Sequence, residues 1–363
     1  MSKFLRLIAT LAMAAPFTAC NESITDEPTI DPVESTIGAI IVNQGSYYAN
    51  IAGSLTYVDF ATNSANQSAF EAANAGGILG DTPQSALVYG SKLYIAVYES
   101  NLIRVLDART FKLIKDIRPD ASTGTQPRFF AADKNKIYVT MFDGYVARID
   151  TTSLAIDASV KVGPNPDGIT VCGDYVYAGN SDGMNYELGY ANGYTVSKIA
   201  ISSFTEVEKI NVGMNPGAMA TVGNSVFVVV RGDYGTTTPS ILKRIKSDGS
   251  VENIAPATYI SAAASSIVYV NAPGGQPVTT VYAYSPTTGK TGSITIDPIA
   301  VPAAIAIDPY TGLLLITGYT IKNGSADYMA GGFANLYDAN GVFIKSYPTG
   351  LNPCAITFNT LLQ

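Results

Sequence analysis

The chain has 363 residues, of which 47% are hydrophobic and 14% are charged, so it can bury a large core and is too apolar for a disordered protein. It contains no histidine, which excludes Ser-His-Asp and Cys-His catalysis as well as histidine-ligated zinc or haem. The formal net charge of -7 disfavours nucleic acid as a partner, because an acidic surface repels phosphate.

Residues 1–19 have the features of a lipoprotein signal peptide. Lys3 and Arg6 form a positive N-terminal region, and the apolar run that follows is too short to span a bilayer. The segment 17–20, with the sequence FTAC, resembles a bacterial lipobox, although phenylalanine stands where leucine is usual. We therefore expect cleavage before Cys20, lipidation of its thiol and anchoring in a membrane. The alternative is an ordinary cleaved signal peptide followed by a structural cysteine.

Residues 20–36 read as a lipidated flexible tether, because they are mostly polar and contain Pro28 and Pro32. The stretch 21–28 resembles the acidic signal that sends Bacteroidota lipoproteins to the outer cell surface. The alternative is a plain solvated tether.

A repeated unit begins beyond residue 36. The typical unit starts with an anchor proline and continues with an apolar strand, a short turn and a second strand; in five units this second strand has an aromatic residue eleven positions after the anchor. The anchors are Pro83, Pro127, Pro166, Pro216, Pro302 and Pro353, with Thr258 in the place of a seventh. The aromatic residues are Tyr94, Tyr138, Tyr177, Phe227 and Tyr269. We expect them to pack between units as core residues.

Seven polar turns give an independent count of the units. They lie at residues 59–66, 107–110, 150–153, 202–205, 247–249, 285–289 and 338–341. Such turns between alternating strands are typical of hairpins. Four strands in roughly 45 residues predict an all-β, seven-bladed β-propeller over residues 37–363, with very little helix.

The two ends of the chain are expected to share the last blade. Residues 39–43 read as a second strand without a first, and residues 355–358 supply one strand after the last anchor. Such closure removes free sheet edges. Cys172 and Cys354 fall four blades apart in this arrangement, so we expect buried thiols and no disulfide.

Long loops between second and third strands predict a ligand-binding face. In a propeller these loops share one face with the loops that enter each blade, and they are rich in Tyr, Asn and Asp. Tyrosine offers rigid area with a polar tip, which suits a large amphipathic ligand. The alternative is that some of these tyrosines merely cover loops. The candidate ligand-binding residues are Tyr47, Tyr48, Tyr98, Arg128, Phe142, Asp143, Tyr186, Tyr190, Tyr194, Arg231, Asp233 and Tyr234.

Catalysis has less support in the sequence. The loop carboxylates Asp143, Asp182, Asp233 and Asp327 show no paired motif. We expect no enzyme activity, no catalytic residue, no resident metal and no cofactor. The alternative, a propeller enzyme such as a lactonase or quinoprotein, would need an axial metal cluster to which Asn180, Asp233 and Asn271 contribute.

The lipobox, the anchored units and the opening sequence IVNQG at residues 41–45 together resemble the YncE-like propeller lipoproteins of Bacteroidota. The resemblance covers about residues 38–363 and the signal peptide. Its characterised BtuG type captures cobalamin at the outer surface and passes it to a TonB-dependent transporter. The resemblance thus implies an outer-membrane lipoprotein, facing the cell exterior, that binds cobalamin or a related corrinoid. The open alternative is a surface propeller that binds a protein or glycan.

Overall fold

The computed structural model describes residues 34–234 and 237–362, and these fold into seven four-stranded antiparallel sheets. The predicted all-β, seven-bladed propeller is confirmed. The predicted signal peptide, Cys20 and most of the predicted tether lie outside the described residues. Strand β1 begins at Glu34, within the segment predicted as tether.

The closing blade joins the two ends of the chain. It consists of β1 (Glu34–Asn43), β2 (Ser54–Asp59), β3 (Ser64–Asn66) and, far along the chain, β30 (Pro353–Leu362). A short helix α1 (Ala69–Ala73) follows β3. β1 pairs with β2 on one side and with β30 on the other, where Ile40 lies opposite Thr357. The predicted sharing of one blade by both termini is confirmed.

The other blades are numbered 1 to 6 in chain order. Blade 1 has β4 (Pro83–Tyr89), β5 (Lys92–Val97), β6 (Leu102–Asp107) and β7 (Leu113–Ile117). Blade 2 has β8 (Pro127–Asp133), β9 (Lys136–Met141), β10 (Tyr145–Asp150) and β11 (Ala155–Lys161). Blade 3 has β12 (Pro166–Cys172), β13 (Tyr175–Asn180), β14 (Thr195–Ala200) and β15 (Thr205–Asn211).

Blade 4 has β16 (Pro216–Val222), β17 (Ser225–Val230), β18 (Ile241–Ile245) and β19 (Val251–Pro256). Blade 5 has β20 (Tyr259–Ala262), β21 (Ile267–Val270), β22 (Val278–Ser285) and β23 (Lys290–Ile299). Blade 6 has β24 (Pro302–Ile307), β25 (Leu314–Gly318), β28 (Gly331–Tyr337) and β29 (Phe343–Leu351), with a small hairpin β26 (Ile321–Lys322) and β27 (Ser325–Ala326) in its long loop.

The anchor residues fix the inner strand of each blade. Six prolines are the first residues of β4, β8, β12, β16, β24 and β30, a position where the missing N–H costs no ladder bond. Thr258 directly precedes β20, as its place in the repeat predicts. The inner strands contact one another in sequence around the axis, and β24, β30 and β4 close the ring.

The core lies between neighbouring blades. The five predicted aromatic residues are all buried, and Tyr94 of blade 1 packs with Ile137, Val139 and Met141 of blade 2. Phe227 meets Tyr284 edge to face across the interface between blades 4 and 5, with ring centroids 6.0 Å apart. The prediction that these aromatics form core is confirmed.

All seven predicted polar turns join the third and fourth strands of a blade. In several of them an aspartate accepts hydrogen bonds from the turn, as Asp107 Oδ1 does from the main-chain N–H groups of Arg109 and Thr110. Described helices are α1 and three short 3-10 turns at Tyr47–Ala49, Gly183–Leu188 and Pro273–Gly275. Within the described ranges, no helix has the length and apolar character needed to cross a bilayer. Cys172 and Cys354 are both free thiols.

Candidate functional site

One face of the propeller is organised by a repeated main-chain hydrogen bond. In six blades, the residue directly after the second strand donates its N–H to the carbonyl oxygen that precedes the anchor, at 2.9–3.3 Å. The donors are Gln44, Tyr98, Phe142, Ser181, Arg231 and Tyr319. This bond places the long loops beside the start of six of the seven inner strands, as expected for a propeller, and defines the face that we call the mouth.

The residue directly after each anchor forms a ring at this mouth. In six blades the pairing of the first and second strands shifts register immediately after the anchor proline. Such a bulge leaves the next residue unpaired and re-aims its side chain. The mouth ring consists of Gln84, Arg128, Asp167, Gly217, Tyr259, Ala303 and Cys354.

Three charged side chains meet on one side of the mouth ring. Asp167 is only 4% exposed and accepts a hydrogen bond through Oδ2 from a guanidinium nitrogen of Arg231. A guanidinium nitrogen of Arg128 lies 3.7 Å from the other carboxylate oxygen. Burial opposes ionisation of Asp167, but the charges of Arg231 and Arg128 outweigh it and hold the pKa of this carboxyl below its usual range. Asp167 is therefore a buried carboxylate shared by two cations.

Aromatic rings hold Arg128 in place. Its guanidinium carbon lies 4.6 Å from the ring centroid of Phe142 and 5.5 Å from that of Tyr98. The two rings meet edge to face, with centroids 5.5 Å apart. Stacking of this kind stabilises a cation by about 0.5–2 kcal/mol, depending on how dry it is. Three predicted site residues thus form a single cluster.

Gly217 makes room for the second arginine. A Cβ atom at this position would lie 2.3 Å from the guanidinium carbon of Arg231. Arg231 comes from the loop after β17, and its guanidinium occupies the space that the missing side chain of Gly217 leaves at the mouth ring. The ion cluster therefore joins blades 2, 3 and 4 through one residue of each.

The other side of the mouth ring opens into a cavity of about 480 Å³ on the propeller axis. The small side chains of Ala303 and Cys354 at two positions of the mouth ring border this space. Its walls include Phe129, Arg231, Tyr234, Tyr259, Ala303 and Cys354. The volume lies within the range of sites that take drug-sized ligands.

A second cavity of about 470 Å³ continues the first over blades 5 and 6. The two share Tyr259, and the second adds Tyr319 and Tyr328, whose rings meet at 4.9 Å between centroids. The Tyr259 hydroxyl donates to the carbonyl oxygen of Pro302 at 3.2 Å. Burial raises the pKa of Tyr259, so this phenol is neutral at physiological pH. The second cavity is thus lined by aromatic and small uncharged residues.

Cys354 is the thiol of the axial cavity. Its sulfur lies 3.5 Å from the carbonyl oxygens of Val42 and Pro83, and burial raises its pKa from the usual 9.0 to about 12. A thiol with such a pKa is a poor nucleophile, since the thiolate is the reactive form. Cys354 therefore acts as a small apolar wall residue.

Two further predicted residues adjoin the ion cluster. Tyr234 lines the axial cavity and is 63% exposed, so its ring is available to a ligand. Tyr190 is buried near Arg231 and Tyr234, and this burial raises its pKa. Asp233 lies on the rim, where its carboxylate accepts a hydrogen bond from the main-chain N–H of Thr238 at 2.8 Å.

The remaining predicted residues lie apart from the axial cavity. Tyr47 lines a separate cavity of about 420 Å³ between the closing blade and blade 1, and Tyr48 beside it is 98% exposed. Tyr186 is exposed on the 3-10 turn of blade 3, and Tyr194 is half-buried. Asp143 is exposed and accepts a hydrogen bond from Thr125 Oγ1.

Two polar loop residues serve the scaffold. Asn180 is fully buried, donates to the hydroxyls of Thr195 and Ser197, and accepts from the Gly163 N–H. Asp182 is also fully buried and accepts from the Asn192 main-chain N–H at 2.8 Å, which braces the long loop of blade 3. Across residues 34–234 and 237–362, no group of three or more Cys, Asp or Glu side chains is arranged to hold a metal ion.

Asp167, Tyr259 and Cys354 of the mouth ring are not among the site residues predicted from the sequence. A signal for them exists, because each directly follows an anchor, as does Arg128. When the units are aligned on their anchors, the position after the anchor holds an aspartate after Pro166 and a cysteine after Pro353, whereas Gly217 and Ala303 occupy it in two other units. This variation in residue type marks the position as a candidate for the site.

Comparisons with known proteins agree with the fold. The family model described as "Domain of unknown function (DUF5074)" matches residues 37–358. No curated protein matches the sequence. Among solved structures, hydrazine synthase from Kuenenia stuttgartiensis is 16% identical, with a TM-score of 0.57, over 75% of this chain and 88% of that one. The computationally designed Ika8 protein is 12% identical, with a TM-score of 0.51, over 76% and 90%. At these identities the likeness shows the fold alone.

Proposed function

The chain belongs to the DUF5074 family, a domain family of unknown function, and we propose that it is a lipid-anchored protein of the outer cell surface that captures cobalamin or a related corrinoid at the mouth and hands it to a TonB-dependent transporter. The observation that carries this proposal is the axial cavity with its aromatic walls.

The shape of the mouth supports capture of a large amphipathic molecule. A surface that recognises a protein or glycan is expected to be flat and polar, whereas this mouth is concave and lined on one side by apolar and aromatic residues. A corrinoid is larger than a drug-sized ligand. One side of it would therefore enter the axial cavity while the loop tyrosines cover the rest.

The test is a titration of the protein spanning residues 21–363 with cyanocobalamin, followed by absorbance and calorimetry. Omission of Cys20 prevents lipidation without touching the propeller, which closes on itself between β1 and β30. We expect saturable one-to-one binding. Absence of any response at high micromolar cyanocobalamin would remove the corrinoid as the ligand.

Anchoring is tested separately on the full chain. We expect the mature protein to begin at an acylated Cys20, to fractionate with the outer membrane and to be accessible to protease added to whole cells. The substitution Cys20→Ala should release it from the membrane fraction. Retention of the Cys20→Ala protein in the membrane would argue against the lipid anchor.

A second candidate function, recognition of a protein partner, is supported by the long loop of blade 3. Met184, Tyr186 and Leu188 are all more than half exposed on a turn that the buried Asp182 holds in place. Rigid, exposed apolar side chains are typical of protein contacts. In a capture protein this loop would meet the transporter, so replacing all three with serine should leave cyanocobalamin binding unchanged and reduce uptake by cells.

A further inference from the structure

The charges of the ion cluster at the mouth ring do not cancel. The inner strands of the described chain carry three charged residues, Arg128, Asp133 and Asp167, and Asp133 lies at the far end of β8. Arg231 adds a second cation at the mouth. Within the described residues, both guanidinium groups form their ion pairs with the same carboxylate, that of Asp167. Two positive charges therefore share one buried negative charge.

Arg231 presents the excess charge to the axial cavity. It lines the wall together with Tyr234, Tyr259 and Phe129. An apolar wall lowers the local dielectric constant, so a charge there attracts an opposite charge more strongly than it would in water. A guanidinium also matches the two oxygens of a carboxylate or phosphate in a bidentate pair.

Arg128 keeps Asp167 from cancelling this charge. Its guanidinium lies against the rings of Tyr98 and Phe142, and its buried Nε has no hydrogen-bond acceptor among the described residues. These rings hold Arg128 beside Asp167. The negative charge of the carboxylate is therefore partly balanced by Arg128 and neutralises the charge of Arg231 only in part. Asp167 in turn fixes the guanidinium of Arg231 by a hydrogen bond. The cluster thus holds a preformed cation at the cavity wall.

We propose that Arg231 forms an anion-binding subsite of the axial cavity and receives a carboxylate or phosphate group of a ligand whose body is aromatic or apolar. This inference rests on the proposed function only in that both place a ligand at the mouth. It adds that the ligand carries an acidic group, and it holds for ligands other than corrinoids.

The experiment compares three small probes with one aromatic ring. Phenyl phosphate and benzoate carry the two candidate acids, and benzyl alcohol is their neutral counterpart. Binding to the protein spanning residues 21–363 is measured by ligand-observed NMR at low ionic strength, because salt screens such pairs. We expect at least one acid to bind tenfold or more tightly than benzyl alcohol, and the tighter acid identifies the group. Equal affinities, or no binding of either acid at millimolar concentration, would overturn the proposal.

Variants locate the site. Arg231→Met should reduce the affinity of the acids to that of benzyl alcohol, while Arg118→Met, at an exposed arginine between β7 and β8, should change nothing. An acid preference that survives in Arg231→Met would place the anion elsewhere and refute the assignment. Should Arg231→Met fail to fold, Arg231→Lys replaces it as the test. That substitution keeps a positive charge but loses the bidentate fork of the guanidinium, so it should weaken acid binding several-fold, and unchanged acid binding would count against the subsite.

The outcomes separate this inference from the corrinoid proposal. An acid preference without cyanocobalamin binding would leave the subsite intact and exclude only the corrinoid. Cyanocobalamin binding without an acid preference would keep ligand capture and refute the role of Arg231.

Discussion

The two sides of the mouth use the same repeat position in opposite ways. On blades 2 to 4 the residue after the anchor is charged, or is a glycine that admits Arg231, and the result is a dense ion cluster. On blades 5 and 6 and the closing blade, the same position holds Tyr259, Ala303 and Cys354, and the result is an open cavity. One side is therefore filled and charged, and the other is open and aromatic.

This difference shows how a symmetric scaffold gains a directional site. The register shift after each anchor proline re-aims one side chain per blade, so the mouth composition can change without changing the strands. The charged side ties neighbouring inner strands together, and the open side leaves space for a ligand. The following substitutions test whether stability and binding divide between the two sides in this way.

The largest expected effect is the loss of Asp167. Asp167→Ala leaves two largely buried guanidinium groups without their carboxylate and should lower the free energy of unfolding by about 3–5 kcal/mol. Urea denaturation measures the loss. The matched control is Asp116→Ala, since Asp116 pairs with Arg104 at 2.9 Å on the partly exposed outer part of blade 1. That change should cost about 1 kcal/mol or less. Equal losses in the two variants would show that the mouth cluster has no special part in stability.

A methyl group at Gly217 should have the next largest effect. The Cβ atom of Gly217→Ala collides with the Arg231 guanidinium, which Asp167 prevents from moving freely, so we expect a loss of about 1–3 kcal/mol. A double-mutant cycle with Arg231→Met supplies the control, because removing the guanidinium should abolish most of that cost. Additive losses would mean that Gly217 is needed for a reason other than space for Arg231.

Filling the open side should affect binding and spare stability. Ala303→Phe places a ring in the axial cavity and should weaken binding of cyanocobalamin, or of the acidic probes, at least tenfold, which corresponds to about 1.4 kcal/mol. Calorimetry measures the affinity, and thermal unfolding should stay near that of the wild type. Ala155→Phe, on the exposed outer strand of blade 2, is the control and should leave the affinity unchanged. Unaltered binding by Ala303→Phe would place the ligand outside the cavity.

The smallest effects are expected at the rim. Tyr48→Ala removes a side chain that is 98% exposed and lies beside the separate cavity of the closing blade, so stability should change by less than about 0.5 kcal/mol. Tyr234→Ala removes a residue of the axial wall and should lower the binding free energy by about 0.5–1.5 kcal/mol. Tyr48→Ala should lower the affinity for the ligand by less. The reverse order, measured in one titration series, would move the binding site toward the closing blade.

The architecture could be predicted because each blade repeats local signals. Proline lacks the N–H of other residues and is therefore suited to the first position of an inner strand. The aromatic residue eleven positions later then falls on the second strand, where Tyr94 and Tyr138 are buried. The gap of two units between Pro216 and Pro302 correctly predicted a blade that begins after Thr258. These inferences succeeded because strand period and turn chemistry depend on residues close in the sequence.

The candidate site was predictable only in part. Tyr98 comes from blade 1, and Arg128 and Phe142 come from blade 2; all three were proposed as site residues, and they do form one cluster. Asp182 and Asn180 have the same polar character as exposed loop residues, yet the fold buries both as braces. Burial of a loop residue depends on the path of the whole loop over its neighbours, which short-range sequence patterns do not contain.

By itself, the sequence determined an all-β chain of seven units, the strand order within each unit and the joining of both termini in one blade, because periodicity, anchors and turns are local. Only the tertiary structure decided which of those units would meet to form a site. Arg128, Asp167 and Arg231 become neighbours when three blades pack around an axis, and Ala303 and Cys354 become part of one cavity wall when blade 6 and the closing blade meet at the same axis. The physical reason is that charge compensation and empty volume belong to the packed arrangement and to no single segment of the chain.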